Sequence, residues 1–259
     1  MQAPATALAD LAQAASTLIE RLRTRSPRVH CITNAVAQNF TANALLALSC
    51  VPSMTLSPEE IGFFVADADA LLVNLGTFDA ERRAAAEIAV AAAARESVPW
   101  VLDPVFVDRS APRAEFAREL IARSPTVVRL NHAEFAALAG AEPSREAVMT
   151  AAADNELTIG LSGAADLVTD GARAASIANG HPLMARVTAM GCAGSALVAA
   201  CLAVEDDAFV ATACALTIIG VAGEVPAEKA QGPGSFAVAI LDALYRLDAT
   251  TLRTRARVT

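Results

Sequence analysis

Apolar positions along the chain fall into two alternating patterns. Short runs of aliphatic and β-branched residues at 29–32, 70–74, 100–102 and 126–129 are separated by longer segments with helical spacing. Strands alternating with helices in this way predict βαβ units: an α/β fold with a mainly parallel sheet. Between the second and third runs, residues 80–96 are Ala-rich and carry Glu81, Arg82, Arg83 and Glu87, good helix formers. A later block, 157–161, 167–169 and 174–177, is punctuated by Gly163 and by the turn dipeptide Asp170-Gly171, and predicts antiparallel additions to the sheet. From Cys192 onward the pattern is helical, over about 193–203, 208–229 and 235–245, with Gln231-Gly232-Pro233-Gly234 separating the last two. Residues 1–27 read as an amphipathic helix with Leu8, Leu11, Leu18 and Leu22 on related faces, and lack the basic start and apolar block of a secretion signal. No repeat, low-complexity tract or linker intervenes, so residues 1–259 are expected to form one domain.

Composition sharpens this picture. Hydrophobic residues make up 54% of the chain but aromatic residues only 4%, so the core is built of Ala, Val, Leu and Ile, the usual filling between helices and a buried parallel sheet. No uninterrupted apolar run reaches the roughly 18 residues of a membrane span, and no membrane partner is expected. The net charge of −8 weighs against a nucleic-acid partner, which needs a basic footprint. A small anionic ligand remains compatible, because a local field can oppose the global charge. The five cysteines, Cys31, Cys50, Cys192, Cys201 and Cys214, are odd in number and have no framework spacing. They read as free thiols of a cytoplasmic protein. His30, His132 and His181 are isolated and no Cys-x-x-Cys occurs, so a structural zinc site is not expected.

The densest chemistry lies in Val187-Thr188-Ala189-Met190-Gly191-Cys192-Ala193-Gly194-Ser195, just ahead of an apolar helical run. A turn of small residues opening a helix presents free N–H groups and the positive end of the helix dipole, an anion site. A thiol there can have its pKa lowered from about 8.5 toward neutrality, which suits proton abstraction. On the local sequence alone, a Cys among Ala and Gly is more often a small core residue. Polar residues also follow the predicted strands: Asn34, then Asn74-Leu75-Gly76-Thr77, Asp103-Pro104, and Arg129-Leu130-Asn131-His132-Ala133-Glu134. Ligands of open parallel sheets bind at such strand ends. Each residue also has a structural use: Asn34 or Thr77 as a helix cap, Asp103 in a turn, Glu134 at a helix start.

Taken together, Val29-His30-Cys31-Ile32-Thr33-Asn34, Asn39-Phe40-Thr41-Ala42-Asn43, Leu102-Asp103-Pro104-Val105, Val168-Thr169-Asp170-Gly171, Gly180-His181-Pro182-Leu183-Met184 and Gly232-Pro233-Gly234-Ser235-Phe236 closely resemble hydroxyethylthiazole kinase. The resemblance runs from about residue 29 to 245. It implies a ribokinase-like three-layer fold with helices on both faces of the sheet, ATP as co-substrate and Mg²⁺. It also implies phosphorylation of the primary alcohol of hydroxyethylthiazole in thiamine salvage, by a homotrimer with active sites at subunit contacts. By the same resemblance Met54 contacts the thiazole, with Asn34 and Ala189 also on the substrate side. Arg129 and Ser162 match nucleotide-binding positions, Asp103 and Glu134 the acidic pair that handles Mg²⁺, and Cys192 the catalytic base.

The chain departs from the family pattern in places. Ala189 stands where the family has the first glycine of Thr-Gly-x-Gly-Cys, and is expected to narrow the anion site or to exclude a conformation with positive φ. Ser162 replaces a Thr, Leu130 replaces the glycine of Arg-Gly-Asn, and the 140–157 connection is shorter. These departures leave three functions to separate: an active thiazole kinase, a kinase of another heterocyclic alcohol, and a binding or scaffold homologue with impaired catalysis.

Overall fold

The computed structural model describes residues 11–259, so Leu8 and the start of the first amphipathic segment lie outside the described residues. In chain order the elements are α1 (Leu11–Arg25), β1 (Arg28–Ile32), α2 (Gln38–Ala47), β2 (Val51–Ser53), α3 (Ile61–Ala66), β3 (Ala70–Asn74), α4 (Ala80–Glu96) and β4 (Trp100–Asp103). They continue with α5 (Ala111–Ile121), β5 (Val127–Asn131), α6 (His132–Ala139), α7 (Arg145–Asp154), β6 (Thr158–Ser162), β7 (Asp166–Thr169) and β8 (Ala174–Ile177). The chain closes with α8 (Met190–Leu202), α9 (Ala208–Ala227), α10 (Pro233–Arg246) and α11 (Ala249–Arg255). One sheet carries all eight strands in the order β2-β1-β3-β4-β5-β6-β7-β8. The pairs from β2 through β6 are parallel, and β7 and β8 add antiparallel.

Side-chain alternation along the strands divides the core in two. Val29 and Cys31 of β1, Leu72 of β3 and Val127 of β5 face α1, α2, α8, α9, α10 and α11. Ile32, Leu71, Val73 and Val128 face α3, α4, α5, α6 and α7. The result is the expected three-layer arrangement. It also separates neighbours: Arg129 points toward α8, whereas Leu130 packs with the α6 side. β2 is a short edge strand that the hydrophobic pattern does not reveal, because only three residues pair and none is fully buried.

Local chemistry sets the helix ends. Asp79 caps α4 by accepting from Arg82 N–H at 2.7 Å, and the left-handed Ser97 (φ 57°) ends it. Neither Asn34 nor Thr77 caps α2, whose N-cap is Ala37; Thr77 instead accepts from Ala35 N–H and ties the loops after β1 and β3 together. By length and hydropathy α9 alone among the described helices is long and apolar enough to cross a membrane, although it contains no longer unbroken apolar run. It is a core helix, with 83% of that apolar window buried inside the fold. Its Thr212 and Thr217 hydroxyls donate back to Ala208 and Ala213 carbonyls, so they need no water.

The chain leaves β1 through α2 on one face and leaves β3 through α4 on the other. The carboxyl ends of β1 and β3 therefore flank a topological switch point, where a crevice opens.

His30 lies inside β1, fully buried, with Nδ1 2.8 Å from Ser53 Oγ. Burial lowers its pKa to about 4, against a weaker pull from the Thr55 backbone. Below pH 6.5 the unfolded chain therefore binds a proton that the folded chain refuses, until the pH reaches about 4. We expect stability to fall across that window by up to about 3 kcal/mol from this group, and His30→Asn to flatten the loss. Urea unfolding at pH 7, 5.5 and 4 measures it; equal slopes in both proteins would refute the assignment.

Candidate active site

Because β1, β3, β4, β5 and β6 are parallel, Asn34, Asn74, Asp103, Asn131 and Ser162 all collect at one edge of the sheet. The first turn of α8 faces them. That helix begins at Met190, three residues earlier than the apolar pattern predicts, so Cys192 is its third residue. Ala189 precedes it in the left-handed conformation, φ 69°, and its carbonyl accepts from Ala193 N–H at 2.8 Å. The expectation that alanine excludes positive φ is thus corrected. Helix α8 and its packing hold the turn at a local cost of about 1 kcal/mol.

A continuous network joins the strand ends to the helix. Asn74 Oδ1 accepts from Gly76 N–H (3.0 Å) and from Asn34 Nδ2 (3.1 Å), which orients the Asn74 amide. Its Nδ2 therefore donates to Asp103 Oδ2 (2.7 Å) and to Cys192 Sγ (3.3 Å). Asn34 Nδ2 donates to the same sulfur at 3.2 Å. Asn34 can sit there because residue 76 is glycine: a Cβ on it would lie 2.6 Å from Asn34 Nδ2. Ser195 Oγ donates to Asp103 Oδ2 at 2.8 Å, and Arg129 Nη1 donates to Gly191 O at 3.0 Å and to Ser195 Oγ at 3.4 Å. The sequence placed Asn74 at a strand end and Ser195 in the helix-opening motif but gave neither a role; their signals were a polar residue ending an all-apolar strand and a hydroxyl one turn beyond Cys192.

The electrostatics differ from the isolated-motif expectation. Burial, reinforced by the Asp103 charge, pushes the Cys192 thiol up to about 11, and the amides of Asn34 and Asn74 together with Arg129 offset only part of that. The helix-end field does not bring it toward neutrality, because the sulfur is largely withdrawn from water. Burial also raises the Asp103 carboxyl, against Arg129, Ser195 and Asn74. Glu134 is raised by burial and by Asp103, against N–H groups of Asn131 and Phe106. Those contacts are Asn131 N–H to Oε2 at 2.8 Å and Phe106 N–H to Oε1 at 3.0 Å, and the first belongs to a reciprocal capping box that opens α6. The structural use of Glu134 at a helix start is therefore real, alongside its position in the cavity.

Two cavities meet at this edge. The smaller, about 230 Å³, is bordered by Asp103, Glu134, Arg129 and Cys192. The larger, about 430 Å³, shares Arg129, Ser162 and Gly191 with it and extends past Gly180, Met184 and Ile219. Arg129 lies flat along α8 where Gly191 and Gly194 carry no side chain, and its buried Nε has no protein partner among the described residues. A buried unpaired guanidinium N–H at the junction of two cavities fits an anionic ligand. Ser162 Oγ donates to Leu130 O at 3.2 Å. Leu130 is buried in the core on the α6 side and also borders the smaller cavity. Asp166 lines the larger cavity, its carboxyl raised by burial against the nearby Arg129; the sequence had not singled it out. Among the described residues no three His, Cys, Asp or Glu side chains cluster as a metal cage. Asp103 and Glu134, two mutually repelling carboxylates on one cavity, nonetheless fit a cation that keeps most of its waters.

Met54 directly follows β2 and is half buried against the α2 and α8 side of the core. It borders neither cavity within one chain, so the structure does not bring it together with Cys192 and Ala189.

The model of the hydroxyethylthiazole kinase family matches residues 19–250. The chain belongs to that family. A probable hydroxyethylthiazole kinase of Agrobacterium fabrum is 46% identical over 244 residues, 94% of each chain. The solved structure of a hydroxyethylthiazole kinase protein from Pyrococcus horikoshii superposes with a TM-score of 0.91 at 38% identity, covering 95% of this chain and 98% of that one. A ribokinase-like superfamily protein from Enterococcus faecalis, 14% identical with a TM-score of 0.68 over 96% of this chain and 92% of its own, shares the fold. This protein is therefore a kinase with a ribokinase-like fold, a transferase whose family implies ATP and a divalent metal.

Cys192 is the one cysteine of this kinase that is not fully buried. We expect iodoacetamide to modify Cys192 alone in the native protein, slowly at pH 7 and about tenfold faster per pH unit up to pH 9, since the thiolate reacts and its population grows until about pH 11. Mass-spectrometric rates decide this, and a plateau near pH 7 would restore the low-pKa thiol.

Proposed function

We propose that this protein is an ATP-dependent hydroxyethylthiazole kinase, acting as a single cytoplasmic domain in thiamine salvage. The observation that best supports the reading is the shared border of Cys192, Asp103, Glu134 and Arg129 on one cavity that opens into a larger one. The larger cavity takes ATP, with Arg129 and Ser162 toward its phosphates. Asn34, the backbone turn at Ala189 and Met54 take the thiazole, for which a soft thioether is a suitable neighbour. Asp103 and Glu134 hold Mg²⁺, which when bound supplies charge neutralisation for the phosphoryl oxygens.

In this reading the alcohol oxygen bonds to the γ-phosphorus as the bond to the ADP oxygen breaks, and the hydroxyl proton passes to Cys192 as thiolate. The free enzyme holds Cys192 as a thiol at neutral pH, since its pKa is pushed up to about 11, so its own proton must first leave to water before the thiolate accepts that of the alcohol. Two amide N–H groups aimed at Sγ favour the charged form. Arg129 and the first-turn N–H groups of α8 stabilise the transferring charge. Ala189 keeps the left-handed turn, which favours an active enzyme over a binding-only homologue.

We further propose a homotrimer with active sites at subunit contacts. Among the described residues β2 is an open edge, and Val51, with Leu46 of α2 and Phe63 and Phe64 of α3, leaves apolar surface exposed around it. A neighbouring copy covering that face gives Met54 a site that one chain does not complete.

Turnover with ATP is to be measured on hydroxyethylthiazole, hydroxymethylpyrimidine and simple sugars. We expect the thiazole alcohol alone to be phosphorylated, and Cys192→Ala to lower kcat by about 10²- to 10⁴-fold with thiazole affinity retained. A fully active Cys192→Ala overturns the base, and thiazole binding without phosphorylation by any nucleotide overturns the kinase reading. Sedimentation is expected to give a trimer that Phe63→Glu dissociates; a wild-type monomer overturns the assembly.

A further inference from the structure

Behind the larger cavity lies a polar lock that the proposed reaction does not use. Residues 256–259 run antiparallel beside β8: Ser176 N–H donates to Thr259 O at 2.7 Å, Thr259 N–H to Ser176 O at 3.0 Å, and Ala178 N–H to Arg257 O at 2.9 Å. The outermost strand is thereby covered. Just beyond β8, the buried Asn179 donates through Nδ2 to Arg255 O (2.8 Å) and to Glu224 Oε1 (3.0 Å), and its Oδ1 accepts from Arg257 N–H (2.7 Å). Glu224, on α9, also accepts from Gly180 N–H at 2.9 Å and from both terminal nitrogens of Arg257, at 2.6 and 3.3 Å. Arg257 Nη2 donates in addition to Ala178 O at 2.6 Å.

This lock bears on the cavity directly. Asn179 and Gly180 are cavity wall, and the same stretch continues through His181, Met184 and Ala185. The wall rests on α9 without clearance: a Cβ on Gly220 would stand 2.7 Å from Asn179 Cβ, and one on Gly223 2.4 Å from Met184 Sδ. Its second half is a 3₁₀ turn, Pro182–Arg186, capped by His181, but Asn179 and Gly180 (φ 134°) ahead of it belong to no helix or strand and are held by the Glu224 and Arg257 hydrogen bonds. An exposed ion pair contributes little by itself. Here, though, the Glu224 side chain is only 14% exposed, and it binds the wall and Arg257 at once. Arg129, Ser162 and Gly191 mark where the two cavities meet, so the stretch 179–185 borders the part of the larger cavity away from the transferred phosphoryl group. The family match ends at residue 250, which leaves Arg255 and Arg257 outside it.

We propose that Arg257 and Glu224 are positioning residues that set nucleotide affinity by holding the 179–185 wall against α9. The inference rests on the reading of this cavity as the nucleotide site. Because the wall lies away from the reacting phosphorus, loosening it weakens nucleotide binding and leaves the chemical step and the thiazole site alone. Removing the Arg257 side chain also leaves the Glu224 carboxylate, which holds Asn179 and Gly180 of the wall, without its cation.

The test is calorimetric titration of the full chain with ADP and separately with hydroxyethylthiazole, for wild type, Arg257→Ala, Arg257→Lys and Glu224→Gln. We expect Arg257→Ala to raise the ADP Kd by about five- to twentyfold, Arg257→Lys to recover part of it, and thiazole Kd and kcat at saturating ATP to stay within about twofold. Glu224→Gln keeps an acceptor for Gly180 and serves as the second variant should Arg257→Ala fail to fold, with a smaller loss in the same direction. An unchanged ADP Kd, or equal weakening of ADP and thiazole, overturns the lock. A wild-type protein that binds ADP but phosphorylates no alcohol overturns the proposed function and leaves the lock to be judged on the ADP Kd. A wild-type protein that binds no ADP overturns both the cavity reading and the lock.

Discussion

The buried carboxylate of Asp103 constrains everything around it. A charge withdrawn from water at the end of β4 must be met by donors, and Asn74, Ser195 and Arg129 meet it or stand beside it. Each donor is in turn fixed by a different part of the chain. Asn74 ends β3 and is oriented by Gly76 N–H; Ser195 belongs to α8; Arg129 comes from β5 and lies on the two α8 glycines. Satisfying one carboxylate thus locks two strand ends and a helix into one geometry, and Cys192 is carried into place with them.

The same requirement accounts for the thiol. The amides of Asn34 and Asn74 that donate to Cys192 belong to a network whose other end is Asp103. Dehydration and the nearby negative charge dominate the free state, so the thiol is raised rather than activated.

Away from the reacting end, the molecule relies on close backbone contact. α9 is almost wholly apolar and buried, yet its Gly220 and Gly223 leave room for the segment after β8 to lie against it. The helix supplies the surface, and the segment after β8, with its 3₁₀ turn at Pro182–Arg186, supplies one wall of the larger cavity.

The α/β layering was legible in the sequence because its strands are buried on both faces and read as continuous apolar runs; Ala70–Asn74 and Ala174–Ile177 match their predicted bounds to the residue. The polar strand ends Asn34, Asn74 and Asp103 were legible for the same reason, since a polar residue stands out where an apolar run stops, whereas Arg129 lies inside β5 and Glu134 in the first turn of α6. Other features have no local signature. β2 buries too little to show a period, Ala189 gains its left-handed φ from the packing of α8, and the alternation that turns Arg129 toward α8 and Leu130 away becomes meaningful only once helices occupy both faces. The pKa of Cys192 belongs wholly to the tertiary structure. A helix end is visible in sequence, but dehydration and a carboxylate contributed from a strand 89 residues away are not, and these are the stronger influences.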